Sequence, residues 1–289
     1  MFGCIEAGGT KFVCALCNET GEILERIQIP TTLPSKTLEQ VFDFFGKHEI
    51  KGLGVGSFGP IDVNQNSATY GMITSTPKAG WTNFPFLQTL KKKFQVPIGF
   101  HTDVNAAALG ELTYGAAKGF DGCLYLTVGT GIGGGAITHD TFLEGISHPE
   151  MGHIPIRRHP KDSYEGNCVF HGDCLEGLAA GPAIEKRWGM KGDQLKDRKE
   201  VWEMEAFYLA QAVTQYILTL SPKKIILGGG VMKQAQLFPL IRTNVKTNLN
   251  GYLAYEEITN QIDQYIVPPM LGDDAGIRGA YVLAKRACL

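Results

Sequence analysis

The chain has 289 residues, with 27 lysines and arginines against 29 acidic residues, a formal net charge of −2 and an isoelectric point near 6.4. So balanced a charge gives no electrostatic case for nucleic acid or an anionic membrane surface, and the length suffices for one or two domains. No run approaches the ~20 apolar residues that span a bilayer. The opening MFGCIEAGGTKFVCALC is broken by Glu6, Gly8-Gly9 and Lys11, so it reads as paired strands and not as a signal peptide. Seven cysteines, an odd number and mostly scattered, fit a reduced, cytoplasmic chain better than a disulfide framework.

In chain order, strand-like runs fall near Gly3–Glu6, Lys11–Cys17 and Ile23–Ile29. The spacing of Leu38, Val41, Phe42 and Phe45 predicts an amphipathic helix from Ser35 to His48. KGLGVGSF reads as a buried strand, NFPFLQTLKKKF as a helix, VPIGFHTD as a strand, and VNAAALGELTYGAAKG as a helix closed by Gly119. The theme then repeats. GCLYLTVGT and GIGGGAIT form two strands around a glycine turn, and helices follow near Pro182–Trp188 and Val201–Leu220. KKIILGGGV and QYIVPP are strands, and a last helix runs from Asp274 to about Arg286. Twice a hairpin leads into alternating helices and strands, which predicts an α/β protein of two mixed-sheet domains with a cleft between them. The boundary is expected near residues 115–121, with the last helix returning to the first domain.

Thirty-six glycines, about twice the usual share of roughly 7%, cluster in a few turns. EAGGTK at 6–11 offers backbone N–H groups, the Thr10 hydroxyl and the Lys11 charge to an anion, although a plain hairpin turn would use the same residues. It is not a P-loop, because no helix follows and the spacing differs. TVGTGIGGG at 127–135 is the second turn, and ILGGGVM at 226–232 the third, where a strand ends in glycines and a helix is expected soon after. Each signal is weak alone; their matched places in two similar halves point to a bound nucleotide.

Asp103, at the passage from a strand to the alanine-rich helix, suits either a helix N-cap or a general base that takes a proton from an acceptor hydroxyl. His153-x14-Cys168-x2-His171-x2-Cys174 supplies two imidazoles and two thiolates, a donor set for tetrahedral zinc. Four protein ligands leave no open position, so such a site is structural. It would order a polar loop over residues 150–177 and fix Glu150 and Glu176, whose carboxylates accept hydrogen bonds from several hydroxyls, as on a sugar. His148 and His159 lack comparable spacing and are expected to face solvent.

With these residues in place, the chain resembles the ROK family (repressors, open reading frames and sugar kinases) of the actin-like ATPase, ribonuclease H-like superfamily, along essentially its whole length. EAGGTK, SFGPID at 57–62, TDVNAAALGE, TVGTGIGGG, HPEMGH, CVFHGDCLEG, Gly181-Pro182 and LGGGVM carry the resemblance. It implies Asp103 as the base that deprotonates the sugar hydroxyl. It places Gly59, Asp103, Glu150, His153 and Glu176 on the sugar, with His153 also a zinc ligand beside Cys168, His171 and Cys174. Gly8, Gly9, Thr10 and Lys11 would face the ATP phosphates, together with Thr130, Gly131, Gly133 and Gly134. Pro182, Gly228, Gly229, Gly230, Val231, Met232, Lys233 and Gln234 would border the adenosine. The sugar side would be residues 1–118 with the helix at 275–289, and the nucleotide side residues 119–274 with the zinc loop.

The sequence departs from the family pattern at Glu6, where many members carry an aspartate that helps organise magnesium, so the resemblance implies an indirect magnesium role for Glu6, whose glutamate keeps the charge but reaches one methylene further. It departs again at Thr102, where many glucokinases of the family have asparagine, and at His171, which replaces a common cysteine. EAGGTKFVCA and TDVNAAALGE look like the fructokinase branch. Repressors of the family begin with a helix-turn-helix, and a phosphate turn this early leaves no room for one. The resemblance therefore implies a cytoplasmic, homodimeric hexose kinase using ATP, Mg2+ and structural Zn2+, with fructose as substrate and fructose 6-phosphate as product. A mannose, glucose or other hexose kinase is the alternative; a sugar sensor without turnover and a zinc hydrolase fit less well.

Overall fold

Short apolar runs divided by turn residues build the first sheet. The computed structural model describes residues 1–289. β1 (Phe2–Ala7), β2 (Lys11–Cys17) and β3 (Ile23–Pro30) form an antiparallel meander, and β1 and β2 are buried apart from Glu6, which is partly buried, and Lys11, which is exposed. β3 exposes Glu25, Arg26 and Gln28, charged and polar groups that discourage pairing at an open edge. Proline in its first turn preorganises α1 (Pro34–Phe45), which buries Leu38, Val41, Phe44 and Phe45. Phe42, expected on that face, is only half-buried. β4 (Gly52–Ser57) runs parallel to β1, and after α2 (Phe86–Lys93) β5 (Ile98–Thr102) runs parallel to β4. The sheet order is β3-β2-β1-β4-β5. Phe12, Trp81 and Phe86 centre its core, with ring centroids 5.5 Å and 5.7 Å apart for Phe12–Trp81 and Trp81–Phe86.

α3 (Asp103–Tyr114) starts where β5 ends. It stops at Tyr114 and not at the expected Gly119, because the Glu111 carboxylate accepts the Ala116 N–H at 2.6 Å and takes that donor from the helical ladder. Buried Glu111 also accepts the N–H groups of Met270 and Leu271 at 3.1 and 2.8 Å, which fixes the entry of the C-terminal segment.

The pattern restarts at Cys123. β6 (Cys123–Val128), β7 (Ile132–Thr138) and the short β8 (Thr141–Phe142) are followed by α4 (Leu175–Ala179), α5 (Gly181–Trp188) and the long α6 (Lys199–Leu220). Then come β9 (Ile225–Gly228), α7 (Leu237–Leu249), α8 (Glu256–Thr259), α9 (Ile262–Tyr265), β10 (Ile266–Val267) and α10 (Ala275–Ala287). The second sheet is ordered β10-β9-β6-β7-β8. β6 pairs antiparallel with β7 and parallel with β9, as β1 does with β2 and β4, so both sheets share one topology. Two such mixed five-stranded sheets with their helices make up the actin-like ATPase, ribonuclease H-like fold.

By compactness the chain divides into one unit of residues 1–121, 139–149 and 270–289 and another of 122–138 and 150–269. α10 belongs to the first, where it packs on α3, β4 and β1. The approach is close because Gly279 has no side chain: a β-carbon there would stand 1.6 Å from the Ala106 carbonyl oxygen. No helix is long and apolar enough to cross a membrane.

Candidate active site and metal centre

In the first unit Ala7, Ser57 and Thr102 lie side by side at the ends of β1, β4 and β5. The residues that leave those strands, Gly8, Gly59 and Asp103, therefore emerge along one sheet edge, the carboxyl edge where open α/β sheets take their ligands. The first glycine turn is closed by the Gly8 N–H donating to Lys11 O at 3.0 Å. Thr31 fastens it, its hydroxyl donating to Gly8 O at 2.7 Å and its N–H to Thr10 O at 2.9 Å. Thr10 and Lys11 are exposed, and the Lys11 Nζ donates to Gln28 Oε1 at 3.3 Å.

Asp103 is not the helix cap. Thr102 holds that position, its Oγ1 accepting the Asn105 N–H at 3.1 Å, while Asp103 opens the helix with Oδ1 accepting the Val104 N–H at 2.9 Å. Glu6 is near enough to feel Asp103: burial first, then that neighbouring negative charge, push Glu6 up to about 7. Two carboxyl groups drawn together in this way suit a divalent cation held through its waters.

In the second unit three backbone turns meet. The Gly129 N–H donates to Gly131 O at 2.9 Å, and the Gly181 N–H donates to Gly129 O at 2.8 Å. Gly229, at φ +91°, lies so close to Val128 that a β-carbon would stand 2.4 Å from the Val128 carbonyl oxygen. Thr130 and Gly131, Gly181-Pro182 and Gly228–Gly230 are thus gathered around bare backbone suited to a nucleotide. Gly133 and Gly134 lie inside β7 and not in the turn, and Gly134 leaves room for the Met151 side chain. Val231, Met232 and Lys233 form a short 3-10 turn with Met232 buried, and Gln234 ends it, its amide donating to Gly192 O at 3.5 Å.

The four metal-ligand candidates also converge. The ligand atoms of His153, Cys168, His171 and Cys174 lie within 4.8 Å of one another. Cys168 Sγ is 3.6 Å from both His153 Nδ1 and His171 Nδ1, and Cys174 Sγ is 3.5 Å from His153 Nδ1. A tetrahedron built from Zn–S of ~2.3 Å and Zn–N of ~2.05 Å has S···N edges of ~3.55 Å, so the spacing fits zinc. Burial pushes the Cys174 thiol up to about 11, so a bound cation would be what holds it as thiolate at neutral pH. His153 turns Nδ1 to this cluster, which leaves Nε2 on the other side of the ring for a hydroxyl.

The two carboxylates flank the cluster. Glu150 starts the 3-10 turn Met151–His153; its side chain reaches solvent, but partial desolvation by the protein around it, followed by the charge of Glu176, pushes it up to about 7. Glu176, in the first turn of α4, accepts the Ile132 N–H at 2.9 Å through Oε2. One hydrogen bond thus ties the metal loop to the second glycine turn.

Several supporting groups were not legible as site residues. His148, expected in solvent, is half-buried, and its Nε2 accepts the Ile61 N–H at 3.1 Å beside Gly59. His159 is likewise half-buried, its ring 4.8 Å from that of Phe207. Buried His101 accepts the Thr102 N–H on Nδ1 at 2.8 Å, so Nε2 carries the proton and donates to Glu144 at 2.5 Å. It thereby steadies the strand end two residues before Asp103. Asp162 is gripped by Arg187 Nε and Nη2 at 3.1 and 2.9 Å and by the Tyr208 hydroxyl at 2.5 Å. Burial opposes its ionisation, but these bonds and the Arg187 charge hold its carboxyl below the usual range.

The ROK family model matches residues 2–287, and the chain belongs to the ROK family. A relative from Bacillus subtilis (strain 168) is 58% identical over 99% of this chain and 96% of its own length. A fructokinase of Pediococcus pentosaceus is 47% identical, with coverage of 99% and 98%. Among solved structures, the ROK hexokinase from Thermus thermophilus superposes with a TM-score of 0.77 at 25% identity, covering 98% of this chain and 97% of that one.

Proposed function

We propose that this protein is an ATP-dependent sugar kinase that phosphorylates fructose to fructose 6-phosphate. The observation that carries this is Asp103: a carboxylate relieved of capping by Thr102, on the same sheet edge as Gly59 and the Gly8–Lys11 turn. Asp103 takes the proton of the sugar hydroxyl as that oxygen attacks the terminal phosphorus. Gly59, Glu150, Glu176 and the free nitrogen of His153 hold the other hydroxyls. The turn at Gly8–Lys11 and the Thr130–Gly131 turn face phosphates, and Pro182 with Gly228–Gln234 borders the adenosine.

His153, Cys168, His171 and Cys174 would hold zinc, whose full shell gives it a structural and not a Lewis-acid role. Magnesium, when bound, would neutralise charge on the phosphate oxygens, and Glu6, which feels the charge of Asp103, would order its waters. Fructose is favoured by the relationship to the Pediococcus pentosaceus fructokinase and by Thr102 preceding the base. Phosphorus NMR of the product tests the reaction. One ADP should appear per fructose 6-phosphate, with the new phosphorus coupled to the C6 protons; a phosphate on C1, or ADP without a sugar phosphate, would rule the assignment out.

A further inference from the structure

Sequence motifs assign the cation of the first phosphate turn to Lys11, yet that ammonium is exposed and donates to Gln28 on the neighbouring strand. A second lysine stands at the same turn. A β-carbon built on Gly9 would lie 3.2 Å from Lys78 Cε and 3.8 Å from Lys78 Nζ, so the end of this side chain covers the glycine.

Its place is built by the fold. Lys78 begins a tight turn closed by the Trp81 N–H donating to Lys78 O at 3.1 Å. Trp81 is fully buried against Phe12 and Phe58, and its indole N–H donates to Thr32 O at 2.7 Å. Thr31, the preceding residue, makes both hydrogen bonds that fasten Gly8 and Thr10. One two-residue stretch therefore holds both the glycine turn and the turn that delivers Lys78. Lys78 is half-buried and pairs with no carboxylate. A lysine brought this close to a turn of bare backbone, without an acidic partner, has its charge available for an anion.

We propose that Lys78 is a catalytic residue, binding the phosphoryl group in transfer; the proposal rests on the sugar kinase assignment above. As the bond from the sugar oxygen to phosphorus forms and the bond from phosphorus to the ADP oxygen breaks, the hydroxyl proton passes to Asp103. Lys78 keeps its proton throughout and offsets the charge spread over the phosphoryl oxygens, the part that a positioned cation plays in such transition states.

The test uses the full chain with Lys78→Met, which removes the charge and keeps the length, and Lys78→Arg, which keeps the charge. Lys78→Met should lower kcat by about 100- to 1000-fold and leave KM for fructose within about threefold, with Lys78→Arg recovering at least about tenfold of the loss. Calorimetric titration adds a readout that does not depend on turnover. Lys78→Met should weaken Mg-ATP at least about tenfold and adenosine less than about twofold, the difference expected of a phosphate contact. A Lys78→Met enzyme within threefold of wild type in kcat, or one that loses ATP and adenosine equally, would overturn the proposal. If Lys78→Met fails to fold, Lys78→Gln carries the same two measurements. Absence of ADP release by the wild type with every hexose would sink the kinase assignment and with it the catalytic role of Lys78, and the ATP–adenosine comparison would then decide only whether Lys78 contacts phosphate.

Discussion

A carboxylate in the first turn of a helix normally serves the helix, by capping or by meeting the positive end of its dipole. Asp103 differs because Thr102 already satisfies the Asn105 N–H. Threonine and aspartate both make good caps, so the sequence alone could not divide the roles; the division depends on β5 ending at Thr102, with its strand-like ψ of 153°. The consequence is measurable. Asp103→Asn should lower kcat at least ~100-fold while fructose affinity changes little, the usual scale for a general base. Normal turnover in this variant would remove Asp103 from the mechanism, and loss of the thermal transition would return it to a structural role. Glu6 gives a second expectation. Its pKa is raised from 4.5 to about 7, so between these values the folded state binds more protons than the unfolded one. Folding stability then falls as pH rises through this window. Glu6→Gln should flatten the corresponding part of a urea-unfolding series from pH 4.5 to 7.5, and an unchanged slope would show that Glu6 titrates normally.

Elements differ in how much of themselves they reveal. The metal cluster was readable because three of its ligands lie within seven residues, a spacing that forms a knuckle locally. The grip on Asp162 was not, because Arg187 and Tyr208 arrive from α5 and α6 and only the tertiary fold brings them together. α7, the helix expected soon after the ILGGGVM turn, could not be bounded from sequence: Pro239 in its first turn and Thr243, Asn244, Thr247 and Asn248 along it mask the helical period of Leu237, Ile241, Val245 and Leu249. The double anchoring of the loop predicts a local response to metal loss. Cys168→Ala should abolish binding of about one zinc per chain by metal analysis, and weaken fructose about tenfold or more through the displaced Glu150 and Glu176. ATP affinity should change much less. Hydrogen exchange should rise at residues 168–177 and stay low around Asp162. A variant that loses zinc yet binds fructose normally would leave the metal without a role in the site.

At the scale of the whole chain, the repeated topology was legible from two hairpins, each followed by helices and parallel strands, because hairpin and crossover chemistry is local. What sequence could not supply was the long-range packing: the buried Glu111 that receives Met270 and Leu271, and the close crossing at Gly279. Both depend on residues more than a hundred positions apart meeting in one unit. Substrate choice belongs to this scale as well, since it is a ratio of kcat/KM values and not the property of one contact. Thr102, where many glucokinases of the family have asparagine, and the relationship to a fructokinase both point to the ketohexose.

The most direct test is coupled ADP release by the wild-type protein, with saturating Mg-ATP, across fructose, glucose and mannose. The expected result is turnover with kcat/KM highest for fructose, at least about tenfold above glucose, a difference worth roughly 1.4 kcal/mol in transition-state binding. A higher kcat/KM for glucose would contradict the assignment of fructose, and ADP release with none of the three sugars would contradict the kinase itself.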